Sequence, residues 1–277
     1  MEKQHTLKKT AVLSGIALHT GARAILRIQP ADANSGIRFR RIDLEGQPEV
    51  AALASNVVDV RRGTTIAAGN AVVYTVEHIM AALHACQIDN AVVEMDGQEA
   101  PIVDGSALPY FAMIVEAGIV EQNAEAKYWT AKAPIIIDEG ETKMVIYPSD
   151  KLEVSCTTSY RGVPYDPQFF SLEVTKESFK EQIAPARTFV AYSDLEQLLA
   201  MGLVKGGSLD SAAIIHNGAI ICKDGLRFKD EIVRHKMLDI IGDILLVGCR
   251  VKASIIAIKP GHPVNVKLAG AMLKQGQ

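Results

Sequence analysis

Aromatic residues are scarce in this chain, at 5% with a single Trp. Its core must therefore be built mainly from Ile, Val, Leu and Ala, and an apolar content of 48% over 277 residues is enough for a sizeable one. An excess of either charge is also missing. A net charge of −3 leaves no basic footprint for nucleic acid or for an anionic membrane, so neither is expected as a partner. No apolar run is long enough to span a bilayer, and the opening residues Met1–His5 carry no apolar signal segment. The four cysteines, Cys86, Cys156, Cys222 and Cys249, lie far apart. That spacing excludes a CxxC metal or redox pair and fits free thiols in a reducing compartment. A cytoplasmic protein is expected.

What is present reads as strands and helices in alternating blocks. Ala24–Ile28 and Gly36–Arg40 are strand-like, with a turn over Gln29–Asp32 between them. The first helix is expected from Tyr74 to Cys86, with Thr75 as N-cap and Glu77 in the first turn. A strand over Ala91–Met95 follows, then a second helix capped by Ser106 and stopped by Gly118. The second half repeats the pattern. Strands are expected over Pro134–Ile137, Met144–Tyr147 and Leu152–Ser155, then a polar, proline-bearing stretch, Tyr160–Gln168. A helix capped by Ser193 or Asp194 precedes an irregular glycine-marked segment and a hairpin around His216-Asn217. A strong helix covers about Asp230–Leu246, a buried strand Ser254–Ile258, and a last helix Val264–Leu273.

The fold class expected from this order is α+β, in two similar domains that each pack a sheet on helices. The boundary falls in Glu121–Lys127, giving domains over 1–122 and 128–277.

Three short segments carry candidate chemistry. His235 and Asp239 are four apart on the strong helix, so they share a face, with Asp243 one turn further on. An imidazole and a carboxylate at that spacing can reach one zinc ion, although an ordinary solvated surface pair has the same spacing. In Val76-Glu77-His78 the His can bind a metal while the Glu approaches a water as general base; an ordinary polar helix start reads the same way. His262 follows the buried strand in a Gly/Pro turn, where it either takes part in catalysis or caps a carbonyl. Two His and one Asp leave a fourth position open, as in catalytic zinc. His5, His84 and His216 are less persuasive, and His19 lies between two glycine-marked bends.

Taken together, these segments resemble the UDP-3-O-acyl-N-acetylglucosamine deacetylases, which carry out the committed step of lipid A synthesis in Gram-negative bacteria. The resemblance rests on SGIALHTG (14–21), TVEH (75–78), IDN (88–90), PIVDGSALPY (101–110), ARTF (186–189), GGSLD (206–210), LRFKDEIVRHKMLDIIGD (226–243) and Gly261-His262, and covers nearly the full length. It implies zinc, with iron(II) as the other metal such ligands accept. His78, His235 and Asp239 would be the ligands and Glu77 the general base. His262 would be a charged acid or stabiliser oriented by Asp243, and Thr188 and Lys236 would contact substrate and the developing oxyanion. Phe189, Gly207 and Ser208 fall in or beside an insert, about 189–215, that sheathes the acyl chain. His19 and Asp194 match family positions on the substrate side. Arg61–Ile66 matches only loosely, so no contact is assigned there.

The implied partner is a UDP-linked acylated amino sugar, bound by a monomer in the cleft between the two domains. Two other readings remain at this stage. One is a zinc amidohydrolase of the same fold acting on another acylated amino sugar. The other is an inactive relative that only binds sugar nucleotides, against which stands the competent residue at every catalytic position.

Overall fold

The computed structural model describes residues 2–160 and 166–276. Residues 161–165 of the polar stretch Tyr160–Gln168 lie outside the described residues.

Alternation of buried and exposed side chains places five strands of the first half in one sheet: β1 (Ala11–Ile16), β2 (Arg23–Pro30), β3 (Ile37–Arg41), β4 (Glu49–Ala51) and β5 (Ala91–Met95). Their spatial order is β1-β2-β5-β3-β4. The second half builds β6 (Ile135–Glu139), β7 (Thr142–Pro148), β8 (Leu152–Thr158), β9 (Gln168–Glu173) and β10 (Arg250–Ile258). Their order is β6-β7-β10-β8-β9, with Tyr128–Thr130 added alongside β10. In each sheet the last strand of the five enters the middle. It runs antiparallel to the second strand and parallel to the third. The two halves therefore share one connectivity, which the order of elements in the sequence only outlined.

Five helices matter for the site: α1 (Glu77–Ala85), α2 (Leu108–Ala117), α3 (Tyr192–Ala200), α4 (Glu231–Ile244) and α5 (His262–Gln275). Every residue of α1 is buried, as is all of α4 except Lys236. A helix enclosed on all sides is a core helix, and these two pack against each other. Gly242 permits the approach, because a Cβ there would lie 2.1 Å from the Glu77 carbonyl oxygen. One continuous apolar cluster joins both sheets to these helices, including Leu26, Phe39, Ile79, Val154, Leu238 and Ile255. Each such Leu or Ile contributes about 1.5–3 kcal/mol by burial. This shared core, more than any surface ion pair, holds the layers together. Among the described residues no helix is long and apolar enough to cross a membrane.

Several helix starts differ from expectation. Thr75 does not cap α1: the cap position is Val76, and Thr75 sits at φ +58°, with its hydroxyl donating to Glu99 Oε1 at 3.3 Å. A β-branched residue in the left-handed region is strained unless its surroundings enforce it. Here the strained turn brings Glu77 and His78 into the core. Ser106 still accepts from the Leu108 N–H at 3.2 Å, one position before the cap residue Ala107. α3 begins at Tyr192, so Ser193 and Asp194 lie inside its first turn, and Asp194 pairs with Arg62 instead of capping. α5 begins two residues early, at His262, because Gly261 takes the cap position and Pro263 suits the first turn. His262 is thus a helical residue and not part of a turn. The hairpin forms as expected, Ala212–His216 with Ala219–Ile221, around Asn217 and Gly218 at φ +46° and +77°. Thr188–Ala191 adds a parallel strand beside it.

Candidate active site

The contact of α1 with α4 brings together side chains that are 157 or more positions apart in sequence. His78, from the first turn of α1, meets His235 and Asp239, one turn apart on α4. Their ligand atoms all lie within 4.8 Å of one another, and all three residues are buried. The imidazoles of His78 and His235 meet edge-on, with centroids 5.1 Å apart.

The hydrogen bonding leaves part of this cluster unmatched. His235 Nδ1 donates to the Ala186 carbonyl at 3.0 Å. Burial holds both imidazoles below their ordinary pKa, His78 at about 3, with the neighbouring imidazole adding to that effect on His78. His235 is therefore neutral, with the lone pair on Nε2. That nitrogen lies 3.5 Å from Asp239 Oδ1. Burial alone would raise the Asp239 pKa, but the Lys236 ammonium, with the charged His262 beyond it, holds it well below the carboxylate range, so it is ionised. Two buried acceptors thus face each other with no proton between them. Asp239 Oδ1 and His78 Nδ1 have no hydrogen-bond partner among the described residues. Buried polar atoms left in this state are costly, and a divalent cation relieves the cost. Two imidazoles and one carboxylate, with one imidazole oriented through a backbone carbonyl, are a donor set that could hold a metal ion.

A second group of polar side chains adjoins it. Glu77 is 3% exposed, and burial raises its carboxyl to about 7, helped by Asp243 and Asp239 and opposed by His262. Its Oε2 accepts from the Thr64 N–H at 2.9 Å. Its Oε1 lies 3.8 Å from His262 Nε2. His262 Nδ1 donates to Asp243 Oδ2 at 2.9 Å. Burial opposes the charge on His262, but Asp243, Glu77 and Asp239 outweigh it and raise the pKa to about 9. The imidazolium therefore persists at the start of a helix, where the dipole disfavours a cation. Lys236 Nζ donates to Asp239 Oδ2 at 3.0 Å and lies 5.3 Å from the centre of the Phe189 ring. That ammonium also stays charged: desolvation opposes the charge, but Asp239 more than compensates.

Thr188 and Phe189 follow Ala186, whose carbonyl orients His235. The Thr188 N–H donates to the Gly105 carbonyl at 2.8 Å, and the Phe189 ring stands 6.1 Å from that of His235. Phe189, Tyr160 and Ile220 pack against a small separate apolar cluster of Ile215 and Ile232. His19 is half-buried, with its N–H donating to Glu99 Oε1 at 2.8 Å and its Nε2 3.3 Å from the Arg62 carbonyl. Gly207 and Ser208 do not reach the cluster of imidazoles. They sit in the loop that lies on Ala17–His19, where a Cβ on Gly206 would come within 2.1 Å of the Ala17 carbonyl oxygen. A cavity of about 700 Å³ opens between this loop and the Asp59–Thr65 segment, lined by His19, Arg62, Thr75, Met201 and Leu203.

Three contributors were not anticipated. The Thr64 hydroxyl donates to Asp243 Oδ1 at 2.6 Å, Asn265 Nδ2 donates to Asp243 Oδ2 at 3.0 Å, and Arg62 pairs with Asp194 at 2.8 Å. Asn265 stands three residues after His262 on α5, a spacing that could have marked it. Thr64 carries no such signal.

The family model described as UDP-3-O-acyl N-acetylglycosamine deacetylase matches residues 4–274. Relatives named UDP-3-O-acyl-N-acetylglucosamine deacetylase include the following. One, from a Geobacter species, is 44% identical over 272 residues, 98% of this chain and 89% of the relative. One from Myxococcus xanthus is 42% identical over 265 residues, 96% and 84% of the two chains. One from Chlamydia felis is 40% identical over 275 residues, 99% and 98%. With residues 4–274 matched by the family model and relatives this similar at nearly full length, the chain belongs to the UDP-3-O-acyl N-acetylglycosamine deacetylase family.

Proposed function

We propose that this protein hydrolyses the N-acetyl group of UDP-3-O-acyl-N-acetylglucosamine, releasing acetate and the free amine, as the deacetylation step of lipid A synthesis. The observation that carries the reading is the pair of facing acceptors, His235 Nε2 and Asp239 Oδ1, with Glu77 and His262 beside them. His78, His235 and Asp239 hold the metal, and zinc suits two imidazoles and a carboxylate best, with iron(II) the alternative. A bound cation of this kind polarises an acyl carbonyl and lowers the pKa of a water.

The chain's own residues handle the protons. Glu77 Oε1 accepts a proton as water adds to the acetyl carbonyl carbon, and a carboxyl group near pH 7 is suited to giving and taking protons. His262 Nε2 delivers a proton to the nitrogen as the C–N bond breaks, so the product leaves as an amine. Asp243 holds His262 Nδ1 and balances its charge. Lys236 and Thr188 supply donors for the oxygen that gains charge. His19, Phe189, Asp194, Gly207 and Ser208 line the route taken by the rest of the substrate, with 189–215 as the insert around the acyl chain.

We also read the shared strand order as a duplicated α+β unit, 1–122 and 128–277, with substrate bound in the cleft between the copies. The supporting fact is that His78 comes from one copy and His235, Asp239 and His262 from the other. Acetate release from UDP-3-O-acyl-N-acetylglucosamine, measured beside the same sugar lacking UDP, tests the reading. Turnover that depends on UDP is expected; no acetate from either sugar would refute it.

A further inference from the structure

We propose that Thr64 is a positioning residue that holds the base Glu77 and the Asp243–His262 pair in register across the two halves of the site. This rests on the deacetylase reading above.

Thr64 is completely buried and joins three separate elements. Its hydroxyl donates to Asp243 Oδ1 at 2.6 Å, on α4. Its N–H donates to Glu77 Oε2 at 2.9 Å, at the start of α1. Its oxygen also lies 3.3 Å from His262 Nδ1, at the start of α5, and its carbonyl accepts from the Val76 N–H at 3.2 Å. The preceding residue, Gly63, lets the segment run directly against the base: a Cβ there would stand 3.1 Å from Glu77 Oε1.

The carboxylate of Asp243 is fully buried, so both its oxygens need donors. Oδ2 receives two, from His262 Nδ1 and Asn265 Nδ2. Oδ1 receives only the Thr64 hydroxyl among the described residues. Without that hydroxyl, Oδ1 is a buried acceptor with no donor, and the carboxylate gains by rotating. The imidazole it holds through Oδ2 then turns with it, away from Glu77. The backbone bond to Glu77 remains in the Val, Ala and Ser variants, which all keep the N–H, so the side chain acts on the acid arm while the main chain fixes the base arm. A compact hydroxyl is the required chemistry, and Ser provides it while Val fills the same space without it.

The test compares kcat and KM of Thr64→Val, Thr64→Ala and Thr64→Ser enzymes on UDP-3-O-acyl-N-acetylglucosamine, with melting temperature and bound metal measured on each. Loss of a buried hydrogen bond to a charged group predicts kcat lower by about 10- to 100-fold for Val and Ala, with KM nearly unchanged. The Ser enzyme should stay close to wild type, and bound metal should be equal in all. Wild-type kcat in the Val or Ala enzyme would overturn the proposal, as would a Ser enzyme as impaired as Val, or an effect confined to KM. Should Val not fold, the Ala and Ser pair decides the matter. An inactive wild-type protein would instead overturn the deacetylase reading itself, and with it this role.

Discussion

Helix α4 carries two buried ionic clusters eight residues apart, and they are built by opposite rules. At its start, Glu231 meets Arg187, 2% and 4% exposed. Arg187 Nε donates to Glu231 Oε1 at 2.8 Å, and its other nitrogens donate to the carbonyls of Lys223 and Gly225. Glu231 also accepts from the N–H groups of Arg187 and Arg227. Charge is matched by charge and each carboxylate oxygen has its donors. Two turns on, Asp239 Oδ1 and His78 Nδ1 have none among the described residues. Burial is the same in both places, so burial alone does not mark function. The contrast is in what is left unmatched: the first cluster is closed, while the second keeps acceptors without donors among the described residues.

The largest effect that can break this contrast is on rate. Glu77→Gln keeps the shape of the base and removes its proton affinity. A fall in kcat on the order of 10³-fold is expected, as for loss of a general base, with little change in melting temperature. Turnover near wild type in steady-state assays would remove Glu77 from the mechanism.

A smaller effect, on stability instead of rate, sharpens the other side. Glu231→Gln leaves Arg187 buried without its counter-charge, which costs about 3–5 kcal/mol in comparable pairs. Denaturant titration should show that loss, while metal content stays at the wild-type level. The pH dependence has a definite sign. Burial works to raise the Glu231 pKa, but the hydrogen bonds from Arg187 and Arg227 outweigh it, so the folded value is depressed. Its stabilising contribution is thus complete above the unfolded carboxylate pKa and is lost as pH falls through the folded value. In the Gln protein, the acid side of the stability curve should be flatter. An unchanged acid limb would show that the pair contributes nothing.

The open cluster was more legible in the sequence than the closed one, and for a physical reason. His235 and Asp239 lie on one helix, where a four-residue spacing fixes their proximity, and Glu77-His78 are adjacent. Arg187 and Glu231 are 44 positions apart and meet only through tertiary packing. Thr64 is further hidden: it is 179 positions from Asp243, and threonine is common in strands. The order of strands and helices could be read because periodicity is local. The entry of β5 and β10 into the middle of their sheets could not, because it is a long-range pairing. Helix starts are the least legible. Thr75 was expected to cap α1 because its residue type favours that role, but its hydroxyl is engaged by Glu99 in a strained turn that the tertiary structure imposes.

On the reading proposed above, His78, His235 and Asp239 together bind one divalent cation. This claim is tested most directly by counting metal bound per chain in purified wild-type, His235→Ala, Asp239→Ala and Glu231→Gln proteins. About one equivalent is expected in the wild-type and Glu231→Gln proteins, as for a single catalytic site, and close to none in the other two. A full equivalent retained in both His235→Ala and Asp239→Ala proteins would contradict the claim.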